Sequence, residues 1–201
     1  MSNPPQNLDN NFNSAPDQTL NLDRLAAGLS QDMIIKVREK AEKEAEEKQK
    51  KDRKSPEEAE KIRRALIDRR TETLERLVTK ALGVLQEQGV YAMMLFLFSR
   101  TSDEKEVAPL IRAQLFQALK ELPAFEGLPN LPQAGDDAQK ALKFYVDDVL
   151  GDLDDLLLVR ELYEQTLIYA RYSAKAAKTA KAAASAAASS ASAADLRASG
   201  G

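Results

Sequence analysis

Leu22, Leu25, Leu29, Met33 and Val37 recur every three or four residues, the spacing of one helix face. From Arg38 to Lys48 the apolar side chains give way to Glu, Lys and Ala, polar on every face. A helix of that kind gains little beyond weak Glu–Lys pairs four residues apart. The pattern predicts a charged helical arm over 21–54. Its charged half is solvated and frays, and its leucine half, Leu22, Leu25 and Leu29, is open to docking a partner. Residues 1–20 are rich in Asn, Gln, Pro and Asp and hold few large apolar side chains. They bury too little to offset the entropy of ordering and are expected to be disordered.

Ser55-Pro56-Glu57-Glu58 marks the sharpest boundary. Ser55 can cap a helix, Pro56 fits its first position, and Glu58 completes a capping box. That helix is predicted to run to about Gln88 with Ile62, Leu66, Thr73, Leu77, Val78, Ala81, Leu82 and Leu85 inward. Gly89 suits a left-handed terminator. Residues 90–98 are apolar all round and read as a short central helix. Thr101 to Glu104 forms a second capping box, with Pro109 near the first turn. Val107, Leu110, Ile111, Leu115, Ala118 and Leu122 stripe the helix that follows. Prolines and glycines over 123–135 mark a loop. A helix from Asp136 to Gly151 turns Ala141, Leu142, Tyr145, Val146 and Val149 inward. The last helix begins near Asp152, with Leu153, Leu156, Leu157, Arg160, Tyr163, Leu167 and Ala170 at helical spacing. Beyond 182 the chain is low-complexity Ala and Ser, which are able to prolong the helix into solvent. The expected fold is all-α, a bundle of about five helices over 55–182 with an Ala/Ser tail over 183–201.

Composition narrows the chemistry. The chain has 201 residues, no Cys and no His. That removes thiolate nucleophiles, imidazole bases, disulfides and the usual zinc ligands. The paired carboxylates Asp136-Asp137, Asp147-Asp148 and Asp154-Asp155 could hold Mg²⁺, but no phosphate-binding glycine loop accompanies them. Helix N-termini explain several of them better. Neither a catalytic group, a metal site nor a cofactor is expected. No signal-peptide pattern opens the chain, and the 90–98 run is too short to span a bilayer. A cytoplasmic location without membrane contact is expected.

Net charge is −3 with 30% charged residues, so binding must rest on local segregation. Arg171, Lys175, Lys178 and Lys181 step by four, three and three residues and form one cationic helix stripe among small side chains. Lys61, Arg63, Arg64, Arg69 and Arg70 form a second cluster, read as facing outward on the helix from Pro56. Lys48, Lys50, Lys51, Arg53 and Lys54 form a third. Such clusters favour salt-dependent contact with phosphates. Tyr91, Tyr169 and Tyr172 could stack bases. The acidic stretch 136–155, set against these stripes, suits head-to-tail self-association.

Three features resemble the small helical subunit of type III CRISPR RNA-guided effector complexes, in particular the Cmr-type, over about 56–182. They are a basic opening helix running into Leu-Val-Thr-Lys-Ala-Leu (77–82), a glycine followed by an apolar helix ending Leu95-Phe96-Leu97-Phe98-Ser99-Arg100, and the tyrosine-containing then basic helix 163–176. The chain departs from the family in three places. Tyr172 stands where a Trp is typical, the adjoining Lys-Arg pair is thinned to Arg171 and Lys175, and 1–55 and 147–155 have no counterpart. The resemblance implies a non-catalytic subunit, present in several copies beside the guide-bound backbone subunits. It implies that Arg171 and Lys175, then Arg63 and Arg64, hold phosphates of the target RNA. The implied partners are that RNA, other subunits and further copies, with no small-molecule substrate. A structural adaptor acting through helix–helix contacts is the alternative. An all-α enzyme using the acidic pairs with Mg²⁺ ranks last.

Overall fold

The computed structural model describes residues 21–52 and 55–198, with backbone alone at 181, 182 and 184–198. The disorder expected of 1–20 lies outside the described residues. Five α-helices fill the described chain: α1 (Leu22–Asp52), α2 (Pro56–Phe98), α3 (Glu104–Lys120), α4 (Ala138–Phe144) and α5 (Leu153–Ala198). A 3-10 turn (Pro123–Phe125) precedes α4, and a π-helical turn (Tyr145–Val149) continues it. No strand occurs among the described residues. The chain is all-α, as its periodicity predicts.

The 21–54 arm is not separate from the bundle. Ala26, Leu29, Met33, Val37, Ala41 and Ala45 form one continuous buried stripe along α1, which packs against α2, α3 and α5. The run that reads as polar on every face carries its inner face on alanine. Ala41 and Ala45 lie against Leu66, with Ile62 and Ile67 beside them. Small side chains bring the two helices close while the charged residues point to water. Arg70, only 8% exposed, donates to Glu44 of α1 at 2.8 Å and fastens the pair.

Helix α2 starts as expected. The Glu58 amide donates to Ser55 Oγ at 3.4 Å, the Ser55 amide donates to Glu58 Oε2 at 3.2 Å, and Pro56 opens the first turn. Gly89 takes φ +88° and ψ −177°, which other residues avoid. It breaks the run into two helical stretches joined across a kink, as the left-handed terminator expected there would. Beyond it Val90, Met93, Met94 and Leu97 face the core, yet Leu95 is 49% exposed. The segment is therefore not surrounded by core on all sides. Guanidinium groups cover its outer rings: Arg100 lies 3.8 Å from the centroid of Phe96 and Arg112 lies 4.0 Å from that of Phe98. By length and composition alone, an 18-residue window of α2 could cross a membrane, so the apolar stretch is longer than 90–98. About two fifths of that window, 39%, is buried inside the fold.

Four further expectations change. The capping box at Thr101 does not form. Ser102 takes φ +52° and α3 begins with no side-chain cap. Glu104 instead meets Lys80 at 2.8 Å, with Arg76 and Arg100 at 3.6 Å. Pro109 falls inside α3, beyond its first turn. Asp137, not Asp136, caps α4, accepting from the Lys140 amide at 2.8 Å, and Val146 is exposed.

On α5 the residues at helical spacing divide, with Tyr163, Leu167 and Ala170 buried and the first turns turned differently. Its buried stripe is Val159, Leu162, Tyr163, Thr166, Leu167, Ala170 and Ala174. Leu153, Leu157 and Arg160, which share that helical spacing, are exposed. Leucines occupy several sides of its first turns, so spacing alone could not choose the face. Tyr163 and Tyr145 share a buried hydrogen bond of 2.7 Å, and Tyr163 donates to the Leu115 carbonyl at 3.0 Å. Both hydroxyls are thereby satisfied in the core. Burial raises both phenols well above their ordinary value, so neither ionises near neutrality.

Candidate nucleic-acid interface

Ala170 and Ala174 seat α5 on the core and leave Arg171, Lys175 and Lys178 exposed on its outer side. Beside them runs a groove of 410 Å³ between α2 and α5. Glu72, Glu75, Arg76, Thr79 and Lys80 line it from α2, Arg171 and Lys178 from α5. Its lining holds four cations and two carboxylates, an excess of two positive charges.

The pairing of these cations matters as much as their number. Lys178 Nζ meets Glu75 Oε2 at 3.0 Å. That hydrogen bond and the carboxylate charge raise the ammonium above its ordinary value. Arg76 and Lys80 share Glu104. Arg171 and Lys175 have no carboxylate within ion-pair distance among the described residues. The Arg171 guanidinium lies 5.9 Å from the ring centroid of Tyr172, itself 59% exposed. Cation and flat ring thus stand side by side on open surface, where a base and its phosphate could meet them. The other two tyrosines are less open. Tyr91 is half-buried, and the Tyr169 hydroxyl donates to Asp23.

The remaining sequence candidates divide. The Lys181 side chain lies outside those described, as do Arg53 and Lys54. Arg63 and Arg64 are exposed near the start of α2, paired with Glu60 at 3.3 and 2.8 Å. Arg64 precedes Glu75 by eleven residues, about 16 Å along the helix, so this pair and the groove are separate patches. Arg69 and Arg70 leave the basic cluster altogether. Arg69 clasps both oxygens of Asp103 at 2.6 and 2.7 Å, and Arg70 is buried against Glu44, not outward. Arg76 and Lys80 escaped sequence reasoning. Glu72 and Glu75 flank them and mask their charge in any local count, and only the approach of α5 reveals the groove.

The leucines expected to dock a partner are used within the chain. Leu29 is 4% exposed, and Leu22 and Leu25 are half-buried against the same core. That face is covered by α5 and α2, which corrects its reading as a free docking stripe.

The acidic pairs have structural duties. Asp136 accepts from Lys140 and the Gln133 amide, Asp147 pairs with Lys143, and Asp148 accepts from Asn130. Asp152 accepts from the amides of Asp154 and Asp155 at the head of α5. Among the described residues no group of three carboxylates converges to hold a metal ion. No protein-family model, no curated protein and no solved structure matches this chain, and its likeness to type III small subunits rests on the residues quoted for it.

Proposed function

We propose that the chain is a non-catalytic helical subunit that holds the phosphate backbone of RNA along the outer face of α5 and the adjoining α2–α5 groove. The observation that carries this reading is the pair Arg171 and Lys175. They are two exposed cations, one turn apart, free of ion pairs among the described residues and next to a groove with more cations than carboxylates. The Lys178–Glu75 pair is about half open to water at its lysine. Exposed pairs of this sort contribute only about 0–1 kcal/mol, so a phosphate can compete for the ammonium. Ala176 and Ala177 between the cations let a backbone approach closely.

The finer identity, a small subunit of a type III CRISPR effector acting in the cytoplasm with other subunits and further copies, is part of the proposal and rests on the resemblance. The adaptor reading keeps one support, an exposed apolar corner at the head of α5, but loses Leu22, Leu25 and Leu29 as its contact.

Arg171→Glu with Lys175→Glu tests the assignment. Fluorescence anisotropy with labelled single-stranded RNA should show a loss of roughly ten- to thirtyfold, the value of two exposed ion-pair contacts at about 0.7–1 kcal/mol each. Arg63→Glu with Arg64→Glu should cost less, because Glu60 already occupies both. Unchanged affinity in the 171/175 variant would remove the site.

A further inference from the structure

Seven large apolar side chains are exposed among the described residues, and four of them fall within twelve consecutive positions: Val146, Leu150, Leu153 and Leu157, at 51, 43, 68 and 50% exposure. The other three, Ile35, Leu95 and Tyr172, are scattered over α1, α2 and the far part of α5. Single exposed leucines need no explanation, whereas a cluster marks a contact surface. Val146 on the π-helical turn and Leu150 just after it are four residues apart, and Leu153 and Leu157 are four apart on α5. Gly151 and Asp152 form the corner between them. Leu157 also borders an open groove of 470 Å³ with Arg160, Glu161 and Glu164.

The rim of this corner is acidic. Asp147, Asp148, Asp152, Asp154, Asp155 and Glu161 lie along the same stretch of chain, against Lys143 and Arg160. Asp154 and Asp155 have no cationic partner among the described residues. Asp155 is held above the ordinary carboxyl value, first by burial and then by the charges of Asp152 and Asp154. The corner is therefore crowded with like charge that a cation would relieve.

The charge selects the occupant. Nucleic acid and anionic lipid are repelled by such a rim. A second copy meeting the corner face to face would set carboxylates against carboxylates, and one meeting it head to tail through Arg171, Lys175 and Lys178 would bring mainly Ala and Ser, not large apolar side chains, to the leucines. Residues 1–20 carry two Asp and no Lys or Arg, so they do not complement it either.

We propose that the exposed corner at Val146, Leu150, Leu153 and Leu157 docks a cationic amphipathic helix of a partner polypeptide. The partner's apolar face covers the leucines, and flanking Lys or Arg side chains meet Asp154 and Asp155. This surface is distinct from the α2–α5 groove and does not depend on the RNA reading.

The probe is a labelled synthetic helix of Leu and Lys with leucines three and four residues apart, titrated into the full chain. Its control is a peptide of the same composition with the leucines dispersed, which keeps the charge and loses the face. The full chain should bind the amphipathic peptide about tenfold or more tightly than the control, as expected for covering two half-exposed leucines. Leu153→Ser with Leu157→Ser should abolish that preference while far-UV circular dichroism stays unchanged. Hydrogen exchange should slow over 146–157 on binding. Equal affinity for the two peptides would overturn the proposal, as would a preference that survives the double substitution or protection confined to the α2–α5 groove. So would concentration-dependent self-association that the same double substitution abolishes, since the corner would then serve a second copy.

Discussion

Met33→Ala separates a helix that belongs to the core from an arm that does not. Met33 has no exposed surface and lies on α1 between the buried Leu29 and Val37. The substitution removes three heavy atoms from that site. At about 0.8 kcal/mol per buried methylene-sized group the transfer loss is about 2 kcal/mol. The cavity left behind adds roughly 24 cal/mol per Å³, depending on how far the neighbours collapse. The expected destabilisation is thus about 2–4 kcal/mol. Ile35, two residues on, is 52% exposed, and Ile35→Ala should stay within about 0.5 kcal/mol of the parent. Urea unfolding followed by far-UV circular dichroism measures both, with the slope in denaturant expected to stay constant. A Met33→Ala effect below about 0.5 kcal/mol, equal to that of Ile35→Ala, would refute the placement of α1 in the core.

Gln114 has no exposed surface, and both its amide oxygen and nitrogen lack a hydrogen-bond partner among the described residues. Gln114→Met should therefore stabilise the fold by about 1–3 kcal/mol in the same urea assay, and destabilisation would show that the amide is satisfied. Gly89→Ala meets no atom within 4 Å, so its cost is that of the φ +88° backbone alone, about 1–3 kcal/mol. Gly83→Ala, equally open but in regular helix, should be neutral or stabilising by about 0.5–1 kcal/mol. Equal effects at the two glycines would contradict the kink. Burial pushes the Glu44 and Glu104 carboxyls up, but Arg70 and Lys48 around the first, and Lys80, Arg100 and Arg76 around the second, outweigh it and hold both below the ordinary 4.5. Their contribution is complete above pH 4.5 and disappears as pH falls through the lower folded values. Glu44→Gln with Glu104→Gln should flatten the fall in urea midpoint below pH 4.5, and an unchanged acid limb would contradict both pairings.

Local chemistry made some of this structure legible in the sequence. Ser55, Pro56 and Glu58 satisfy one another within a single turn, so the start of α2 could be read from four residues. Gly89 could be read as left-handed, because no side chain competes there. That the helix resumes at once depends on the core waiting for Val90, Met93 and Leu97. The inner face of α1 was hidden because alanine looks neutral in a charged run. Ala41 and Ala45 become core only when Leu66 arrives from α2. The face of α5 was ambiguous because Leu153 and Leu157 fit helical spacing as well as Val159 and Tyr163 do. At the site, Arg171, Lys175 and Lys178 were legible because their spacing alone puts them on one face. Arg69 and Arg70 were not, since Asp103 and Glu44, which claim them, lie 34 and 26 residues away. Arg76 and Lys80 became visible only when α5 closed the groove.

The central claim is that exposed cations on α5 and the adjoining groove bind a phosphate backbone. The dependence of RNA affinity on salt tests it most directly. Each phosphate neutralised on a single strand contributes about −0.7 to the slope of log K against log salt concentration. Contacts from Arg171, Lys175, Lys178 and one groove cation predict a slope of about −3 for the parent chain. Arg171→Glu with Lys175→Glu should make it shallower by about 1.4. A slope near zero, or one that the double substitution leaves unchanged, would contradict the account.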